Sequence, residues 1–208
     1  MTMKTAALDL FTKRRTQYAL GRNLKHSPAE IEALVKEAVR LAPSSFNSQS
    51  SRVVILFGAA SERLWDIVTE ALRPVVPAAD FAPSKAKMES FAAGAGTVLF
   101  YEDQDTVKGL QENFPLYADA FPVFSEHSAG MAQFAVWTAL AEVGIGASLQ
   151  HYQPLIDAAV AKEFGLPASW ALRAQMPFGS NEAEIGPKTF IEDETRFRVF
   201  QGAEVAAE

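Results

Sequence analysis

Two short polar segments hold the residues whose types and spacing best fit chemistry. Arg14, Arg15 and Thr16 stand together, and residues 43–49 read Pro-Ser-Ser-Phe-Asn-Ser-Gln. Guanidinium groups and a hydroxyl are good ligands for a phosphate, while hydroxyls and amides can hydrogen-bond a polar heterocycle. Each segment also has a plainer interpretation when it is taken alone. The first could be a solvated helix face, and the second a helix-to-strand loop with capping serines.

The elements around these two segments are marked in the sequence. The first segment falls within a helix predicted over 5–20. Ser27-Pro28-Ala29-Glu30 is a typical helix start, with Ser at the N-cap, Pro at the first position and Glu at the third. That helix is predicted to end at Pro43, and the β-branched run within 52–58 predicts a buried strand. The second segment should therefore be the loop that joins a helix to a strand.

The rest of the chain predicts more helices than strands. A helix capped by Ser61 is followed by a proline-rich loop at 74–84 and a short helix near 84–92. Later elements are a strand at 97–101, an irregular or helical excursion at 106–121, a helix at 154–164, a strand at 170–176 and a tail at 186–199 with some strand character. No repeat or linker divides this pattern. The sequence therefore predicts an α+β fold in a single domain, residues 1–208.

One predicted helix, from Ser125 to about Val143, is apolar on nearly all sides. It contains Met131, Phe134 and Trp137 and has little polar face. A helix of this kind is buried on all sides. It should lie either in the core of the chain or in an interface between subunits.

Composition excludes several classes of function. The chain has 208 residues, 49% of them hydrophobic, and no cysteine, so it can build a sizeable core but has no disulfide or thiolate chemistry. The longest uncharged apolar-rich stretch, 127–141, is shorter than the roughly 18–20 residues of a membrane span, and residues 1–10 lack the apolar run of a secretory signal. These features indicate a soluble, cytoplasmic protein that does not enter a membrane.

The charge is distributed unevenly. The net charge is −6, yet residues 1–40 hold eight Lys or Arg against four Asp or Glu. An acidic protein is a poor candidate for nucleic-acid binding, so this local basic cluster is expected to meet a small anion.

Other catalytic arrangements are missing from the sequence. It contains neither a phosphate-binding P-loop nor a G-x-G-x-x-G dinucleotide motif, and no G-x-S-x-G nucleophile elbow. The three histidines, His26, His127 and His151, lack metal-ligand spacing, so no metal site is expected. The chain offers no convincing acid, base or nucleophile of its own, which fits an enzyme whose chemistry belongs to a bound cofactor.

Three segments resemble the nitroreductase family of FMN-dependent oxidoreductases. They are Lys13 to Thr16, Ala42 to Gln49, and the Gly-Ile-Gly-Ala-Ser-Leu-Gln-His stretch at 144–151. Their order and the surrounding stretches are similar to the short, fatty-acid-repression-mutant-like subgroup over nearly the whole chain. The resemblance implies a central mixed or antiparallel sheet flanked by helices, in an intertwined homodimer with two FMN sites at the subunit interface.

The resemblance also implies roles for particular residues. Arg14, Arg15 and Thr16 would contact the FMN phosphate, together with Lys188 and either Arg196 or Arg198. The second segment would reach the flavin from the partner subunit, and the Ser148–Gln150 loop would present a backbone N–H to flavin N5. Lys85 or Lys87 would approach the N1/O2 edge of the ring. The complete set of expected cofactor-binding residues is Arg14, Arg15, Thr16, Tyr18, Pro43, Ser44, Ser45, Asn47, Gln49, Lys87, Ser148, Leu149, Gln150, Lys188 and Arg196.

The implied chemistry is a ping-pong hydride transfer from NAD(P)H, the co-substrate, through N5 of FMN to a nitroaromatic, quinone or related small acceptor. No side chain is expected to be catalytic in its own right. Tyr18 stands where many family members carry a basic residue, and Met176-Pro177-Phe178-Gly179 stands where many have a Gly-Tyr-Pro turn. Both departures occur within the short subgroup and bear on the substrate more than on the cofactor.

Two other functions are compatible with the sequence. One is a non-catalytic flavin-binding protein with a regulatory role in stress or lipid signalling. The other is a flavin-free helical dimer with a structural role. Bound FMN would exclude the second, and turnover of NADH with an acceptor would exclude the first.

Overall fold

The computed structural model describes residues 3–200, so the first two and last eight residues of the predicted 1–208 domain lie outside the described residues. Five strands form one sheet, and every pairing between them is antiparallel. They are β1 (Leu20–Gly21), β2 (Ser51–Phe57), β3 (Gly96–Asp103), β4 (Gly146–Ala147) and β5 (Trp170–Asn181). The strand order is β1-β5-β3-β2, and β4 pairs with β5 beside this path.

Helices surround the sheet, as the sequence predicted for an α+β fold. They are α1 (Ala6–Lys13), α2 (Pro28–Leu41), α3 (Ala59–Leu72), α4 (Phe81–Ala92), α5 (Gln104–Asn113), α6 (Phe121–Glu142), α7 (Asp157–Phe164) and α8 (Asp193–Arg196). Two short 3-10 segments lie at Ser45–Asn47 and Pro115–Ala120.

Each face of the sheet is covered by its own hydrophobic cluster. Along β3, Leu99 and Tyr101 belong to one cluster, whereas Val98 and Phe100 belong to the other. Side chains alternate between faces along a strand, so a strand that is buried throughout must be covered on both sides. The first cluster joins α3, α4 and α7 to the sheet, and the second joins α2 and α6.

A β-bulge in β5 turns consecutive inward-facing side chains of this strand toward the two different clusters. The register of β3 with β5 shifts between Phe100 and Tyr101, so that Arg173 is the extra residue between Leu172 and Ala174. Leu172 consequently joins the first cluster and Ala174 the second. In a regular strand, Leu172 and Ala174 would face the same side of the sheet because they are two positions apart; the bulge turns them to opposite sides.

The start of α2 confirms the predicted capping signal. Ser27 Oγ accepts a hydrogen bond from the Glu30 N–H, and the Glu30 carboxylate accepts one from the Ser27 N–H at 2.7 Å. Pro28 occupies the first turn, where its missing N–H costs nothing.

Two helices begin earlier than predicted, for a shared reason. The helix expected to start at Ser61 starts at Ala59, after Gly58, and the helix expected to start at Ser125 starts at Phe121. Both serines are buried, and their hydroxyls bond to side chains of β3 instead. The local preference of serine for a helix start was overridden by a tertiary partner.

The predicted helix over 5–20 ends at Lys13. Residues after it are extended, with Thr16 bridged in parallel to Ala147 and the Gln17 N–H donating to the Ala147 carbonyl at 2.9 Å. The segment therefore exchanges helical hydrogen bonds for pairing with the sheet. Elsewhere the proline-rich loop is shorter than predicted because α4 begins at Phe81, and β5 extends beyond Met176 to Asn181.

The long apolar helix α6 is not buried on all sides within the chain. Its sheet-facing side is buried and includes polar Ser125, Ser128 and Gln133, whereas Met131 and Phe134 on the other side are 37% and 41% exposed. Of the two predicted settings, burial in the core of one chain was wrong, because the apolar surplus lies on the outer side. Burial in a subunit interface stays a prediction. No helix among residues 3–200 is long and apolar enough to cross a membrane.

The last part of the described chain is irregular. After β5, residues 182–200 are almost entirely exposed and contain only the four-residue helix α8. The strand character predicted for 186–199 was wrong, because this segment pairs with no strand among residues 3–200.

Candidate functional site

The basic segment owes its position to β4. The bridge between Thr16 and Ala147 sets Arg14, Arg15 and Thr16 directly beside the start of the Ser148–Gln150 loop. Two predicted parts of the site, separated by more than a hundred residues, are thus brought together within one chain.

Arg14 is held in a setting that suits an anion. Its guanidinium carbon lies 4.4 Å from the centre of the Trp137 ring. Burial, followed by the neighbouring charge of Arg15, lowers the pKa of Arg14. Two buried donors here, Arg14 Nε and Trp137 Nε1, have no hydrogen-bond acceptor among the described residues. Buried donors without acceptors are costly, so this place fits a ligand that brings oxygen atoms.

Arg15 and Lys188, both expected phosphate ligands, line one cavity. Arg15 donates to the Gly186 carbonyl at 2.8 Å, which fixes the start of the tail beside the basic segment. The cavity measures about 580 Å³ and is also lined by Leu8, Phe11 and Phe190. A volume of this size accommodates a small molecule.

The structure does not join the other two candidate cations to this group. Arg196 lies on α8 with its guanidinium over the Phe197 ring, and Arg198 donates to the carbonyls of Glu194 and Phe197. Neither residue lines the cavity that Arg15 and Lys188 share. Within a single chain, only Lys188 of the predicted tail residues reaches the basic segment.

The Ser148–Gln150 loop is fastened to β5. The Ser148 N–H donates to the Pro177 carbonyl at 3.2 Å, and Gln150 and Gln175 exchange backbone hydrogen bonds at 2.7 and 2.9 Å. The Gln150 side chain also donates to Ser148 Oγ at 3.0 Å. Fully buried Gln175 extends the attachment, because its side-chain oxygen accepts from the Tyr152 N–H at 2.8 Å.

This attachment decides which backbone donors stay available. The N–H groups of Ser148, Gln150 and Tyr152 point to β5, so those of Leu149 and His151 point the other way. No hydrogen bond within the described chain uses either of these two N–H groups. They are the two backbone donors that the loop can offer to a ligand.

Tyr18 and Lys87 meet at Phe91. The Tyr18 and Phe91 rings are 6.4 Å apart, and Lys87 Nζ lies 5.7 Å from the Phe91 ring centre. Burial, followed by the nearby Tyr18 hydroxyl, raises the pKa of Tyr152 to about 12. Lys85 instead pairs with Glu89 at 3.1 Å. Of the two lysines considered for the flavin edge, Lys87 is the one that adjoins Tyr18.

The 43–49 segment forms a separate hollow of about 240 Å³. Pro43, Ser44, Asn47 and Gln49 line it. Ser45 is turned toward α6, where its N–H donates to Ser128 Oγ at 3.4 Å. The side-chain amides of Asn47 and Gln49 form no hydrogen bond within the described chain and are exposed, so they can serve a ligand.

Backbone strain accompanies this hollow. Phe46, Asn47 and Gln49 have φ of 56°, 50° and 49°. The left-handed conformation costs roughly 1–2 kcal/mol for a residue with a side chain. Such a conformation persists only where surrounding contacts hold it, and it is common at functional sites. Here Phe46 packs against Phe114 and Phe121, with ring centres 5.1 and 5.2 Å away.

The two predicted halves of the site lie on opposite sides of α6. The basic segment touches Trp137, and the hollow touches Ser128, nine positions earlier. At 3.6 residues per turn, nine positions correspond to about half a turn beyond two full turns and to a rise of roughly 14 Å. The two segments of one chain therefore do not face the same small ligand.

With this geometry established, comparison with known proteins identifies the family. Residues 11–180 match the family model described as Nitroreductase family. The chain belongs to the nitroreductase family. The nitroreductase-like protein HBN1 of Saccharomyces cerevisiae is 38% identical over 196 residues, covering 93% of this chain and 97% of HBN1. The nitroreductase FRM2 of the same yeast is 34% identical over 186 residues, 88% of this chain and 92% of FRM2. Both support the predicted short subgroup.

Solved structures share the fold of this nitroreductase. CinD from Lactococcus lactis, in complex with 4-nitrophenol, is 51% identical with a TM-score of 0.86, covering 94% of this chain and 100% of that chain. A nitroreductase-type protein from Desulfovibrio desulfuricans, solved with FMN, is 17% identical with a TM-score of 0.69, covering 96% and 100%. The predicted helix-flanked antiparallel sheet is thereby confirmed.

Sequence reasoning missed three residues of this nitroreductase site. Trp137 was assigned only to an apolar helix, although it stacks on Arg14, and Phe91 joins Tyr18 to Lys87. Gln175, which anchors the Ser148–Gln150 loop, did leave a signal. It is an amide within a strand whose neighbours are otherwise suited to burial, and a buried polar side chain needs a specific partner.

Proposed function

We propose that this nitroreductase is an FMN-dependent NAD(P)H oxidoreductase that acts as a homodimer. Family membership supports a nitroreductase-type oxidoreductase, and the FMN complex of the Desulfovibrio relative supports the cofactor. The observation that carries the proposal is the group formed by Arg14, Trp137 and the Ser148–Gln150 loop. It places orphaned buried donors beside free backbone N–H groups.

The residues present fit FMN. Arg14, Arg15, Thr16 and Lys188 would hold the phosphate, because they supply three cations and a hydroxyl near the shared cavity. Arg196 stays a proposed additional ligand. Arg196 lies on the exposed tail, so it would be free to contact the phosphate once two subunits have assembled.

A second group would hold the flavin ring. The Leu149 or His151 N–H would donate to flavin N5, since Ser148 and Gln150 are already bonded to β5. Tyr18 and Lys87 would lie at the pyrimidine edge, where a cation stabilises negative charge.

The 43–49 hollow would complete the site from the partner subunit. Pro43, Ser44, Ser45, Asn47 and Gln49 lie on the opposite side of α6 from the basic segment. A single chain would therefore contribute to two different flavins. The exposed apolar side of α6 supports pairing of two copies, because apolar surface of this kind favours association.

When bound, FMN would supply the redox chemistry by taking a hydride from NAD(P)H and passing it to the acceptor. The chain would orient the flavin ring through its fixed backbone N–H groups. The aromatic residues of the chain would limit the access of water to the ring. Complexes of CinD with 4-nitrophenol and with chloramphenicol support nitroaromatic acceptors, and quinones are a second class to test.

Purification and steady-state kinetics test this proposal directly. The purified protein should be yellow, with flavin absorbance bands, and should oxidise NADH or NADPH faster when 4-nitrophenol or a quinone is added. Anaerobic stopped-flow reduction by each nucleotide would then establish the preference; the absence of a recognisable 2′-phosphate pocket in the sequence favours NADH.

Two results would contradict the proposal in different ways. A colourless protein that cannot be reconstituted with FMN would remove the cofactor from it. A fully flavinated protein that does not turn over with any acceptor would instead indicate a flavin-binding protein without catalysis.

A further inference from the structure

A buried carboxylate next to the 43–49 segment has no role in the proposed chemistry. Glu102, near the end of β3, is 0% exposed. Three serine hydroxyls donate to it: Ser50 and Ser51 at 2.5 Å, and Ser125 at 2.8 Å. No cationic side chain among residues 3–200 forms an ion pair with it. Buried carboxylates are usually paired with a cation, so this arrangement calls for a specific reason.

The three hydroxyls explain why the residue is glutamate. An ionised carboxylate only accepts hydrogen bonds, and its two oxygens offer enough lone pairs for three donors. Glutamine would offer one acceptor oxygen and would turn an NH2 group toward a hydroxyl donor. Hydrogen bonds to an ionised acceptor are also shorter and stronger than neutral ones.

The serines connect three parts of the molecule. Ser50 and Ser51 directly follow the 43–49 segment, while Ser125 lies on α6. The Ser50 carbonyl also accepts from the Asp103 N–H at 3.0 Å, next to Glu102. The carboxylate therefore joins β3, α6 and the end of the segment that lines the hollow.

The strained segment is tied to α6 at both ends. Its first half is attached where the Ser45 N–H meets Ser128 Oγ and where Phe46 packs on Phe121. Its second half is attached through the bonds of Ser50 and Ser51 to Glu102, and of Glu102 to Ser125. Of the three left-handed residues, Phe46 belongs to the first attachment, and Asn47 and Gln49 lie between the two attachments. Such residues depend on surrounding contacts to keep their conformation.

We propose that Glu102 is a positioning residue for the flavin site. Its carboxylate holds the second half of the 43–49 segment against α6, and thereby fixes Asn47 and Gln49 where they meet the flavin of the partner subunit. This role rests on the proposed FMN function. We therefore expect loss of the Glu102 carboxylate to weaken FMN binding more than it lowers the stability of the fold.

The test compares two buried hydrogen-bond networks on the same strand. Glu102→Gln weakens the network at one end of β3. Ser61→Ala removes a buried hydroxyl bond to Thr97, 2.8 Å long, at the other end. Each holoprotein is assayed for its FMN dissociation constant by fluorescence on dilution and for its thermal midpoint. Glu102→Gln should raise the dissociation constant by about tenfold or more, whereas Ser61→Ala should lower the thermal midpoint and leave FMN affinity within about twofold.

Hydroxyl variants keep the proposal testable if Glu102→Gln does not fold. Ser51→Ala and Ser125→Ala each remove one donor and retain the carboxylate. Ser51→Ala should weaken FMN binding more than Ser61→Ala does at a similar loss of thermal stability. Unchanged FMN affinity in both hydroxyl variants would overturn the positioning role.

Failure of this inference differs from failure of the proposed function. If the wild-type protein binds FMN and Glu102→Gln binds it equally well, the positioning role is wrong and the function stands. If the wild-type protein does not bind FMN, the proposed function is wrong and the positioning role falls with it.

Discussion

At the scale of single residues, unmet hydrogen-bonding capacity is the most informative property of this chain. Arg14 and Trp137 hold buried donors without acceptors, and Leu149 and His151 hold backbone donors that the fold leaves unused. Folded proteins satisfy nearly all buried polar groups. The orphaned donors of Arg14 and Trp137 therefore fit a ligand that brings oxygen atoms, and they lie within the basic segment and against it.

Replacing Arg14 by alanine tests the phosphate assignment. The change removes a charged donor and should weaken FMN binding by about 1.5–3 kcal/mol, the range for a lost hydrogen bond to a charged group. Arg14→Lys should be intermediate, because it keeps the charge and loses the planar stacking on Trp137. The measurement is the FMN dissociation constant. Arg63→Ala is the control, since Arg63 pairs with Glu163 away from the site; equal affinity in Arg14→Ala and Arg63→Ala would remove Arg14 from the site.

The raised pKa of Tyr152 predicts that the folded protein loses stability at alkaline pH. Burial, followed by the nearby Tyr18 hydroxyl, raises its pKa from 10.0 to about 12. Between these values the unfolded chain releases the Tyr152 proton and the folded chain keeps it, so stability falls as the pH rises. Tyr152→Phe should reduce the slope of the free energy of unfolding against pH between pH 10 and 12, by less than one proton because the ring is half-buried. Chemical denaturation at each pH measures this slope, and below pH 9 the two proteins should run parallel. Identical slopes above pH 10 would contradict the assignment.

At the scale of helices and strands, local sequence signals predicted that a helix or strand exists better than they predicted where it begins and ends. The capping box at Ser27, the β-branched run of β2 and the glycines after α6 act through neighbours a few positions away, so the sequence contains what is needed. The wrong boundaries depended on distant partners. Ser61 was predicted as a cap and Ser125 as a helix start, but both bond to side chains of β3. The helix α1 ends early because Thr16 pairs with Ala147.

The same distinction applies to the candidate site. The residue types proposed for a phosphate could be recognised in the sequence, because few side chains suit a phosphate, and the resemblance supplied their order. The orientation of the Ser148–Gln150 loop was not predictable, since it depends on backbone hydrogen bonds to Pro177 and Gln175 of β5, which are distant in the sequence. The buried Glu102 was missed for the same reason, because its serine partners lie far apart in the sequence.

The capping box of α2 should contribute measurably to stability. Ser27→Ala removes the acceptor for the Glu30 N–H and should lower the free energy of unfolding by about 1 kcal/mol. Urea denaturation followed by circular dichroism measures it. Ser84→Ala is the matched control, because the Ser84 hydroxyl donates to a carbonyl within the first turn of α4 and does not cap the helix. Alanine favours a helix interior, so this control should be neutral or slightly stabilising. Equal effects from the two variants would show that the capping box is energetically silent.

At the scale of the whole molecule, the chain has more apolar surface than it covers. Phe134 and Met131 on α6 are accompanied by Leu8 and Phe11 of α1, and Phe11 and Phe134 have ring centres 5.1 Å apart. The exposed tail adds Phe190, Ile191, Phe197 and Phe200. An exposed hydrophobic stripe beside the basic segment, together with a tail whose apolar side chains are largely uncovered among residues 3–200, is the arrangement expected if a second copy covers the stripe and the tail.

A charged residue on the outer side of α6 should therefore abolish both assembly and cofactor binding. Phe134→Asp places a carboxylate in the apolar stripe, where burial against a second copy would cost several kcal/mol, so the variant should elute as a monomer on size exclusion. It should also lose FMN, because the 43–49 hollow of a partner would no longer complete the site and because Arg14 Cζ lies 5.9 Å from the Phe134 ring centre. Val75→Asp is the control, since Val75 is 59% exposed on the loop between α3 and α4; it should stay dimeric and yellow. A folded Phe134→Asp monomer that binds FMN as tightly as the wild-type protein would show that one chain holds the flavin alone, and the division of the site between two subunits would be wrong.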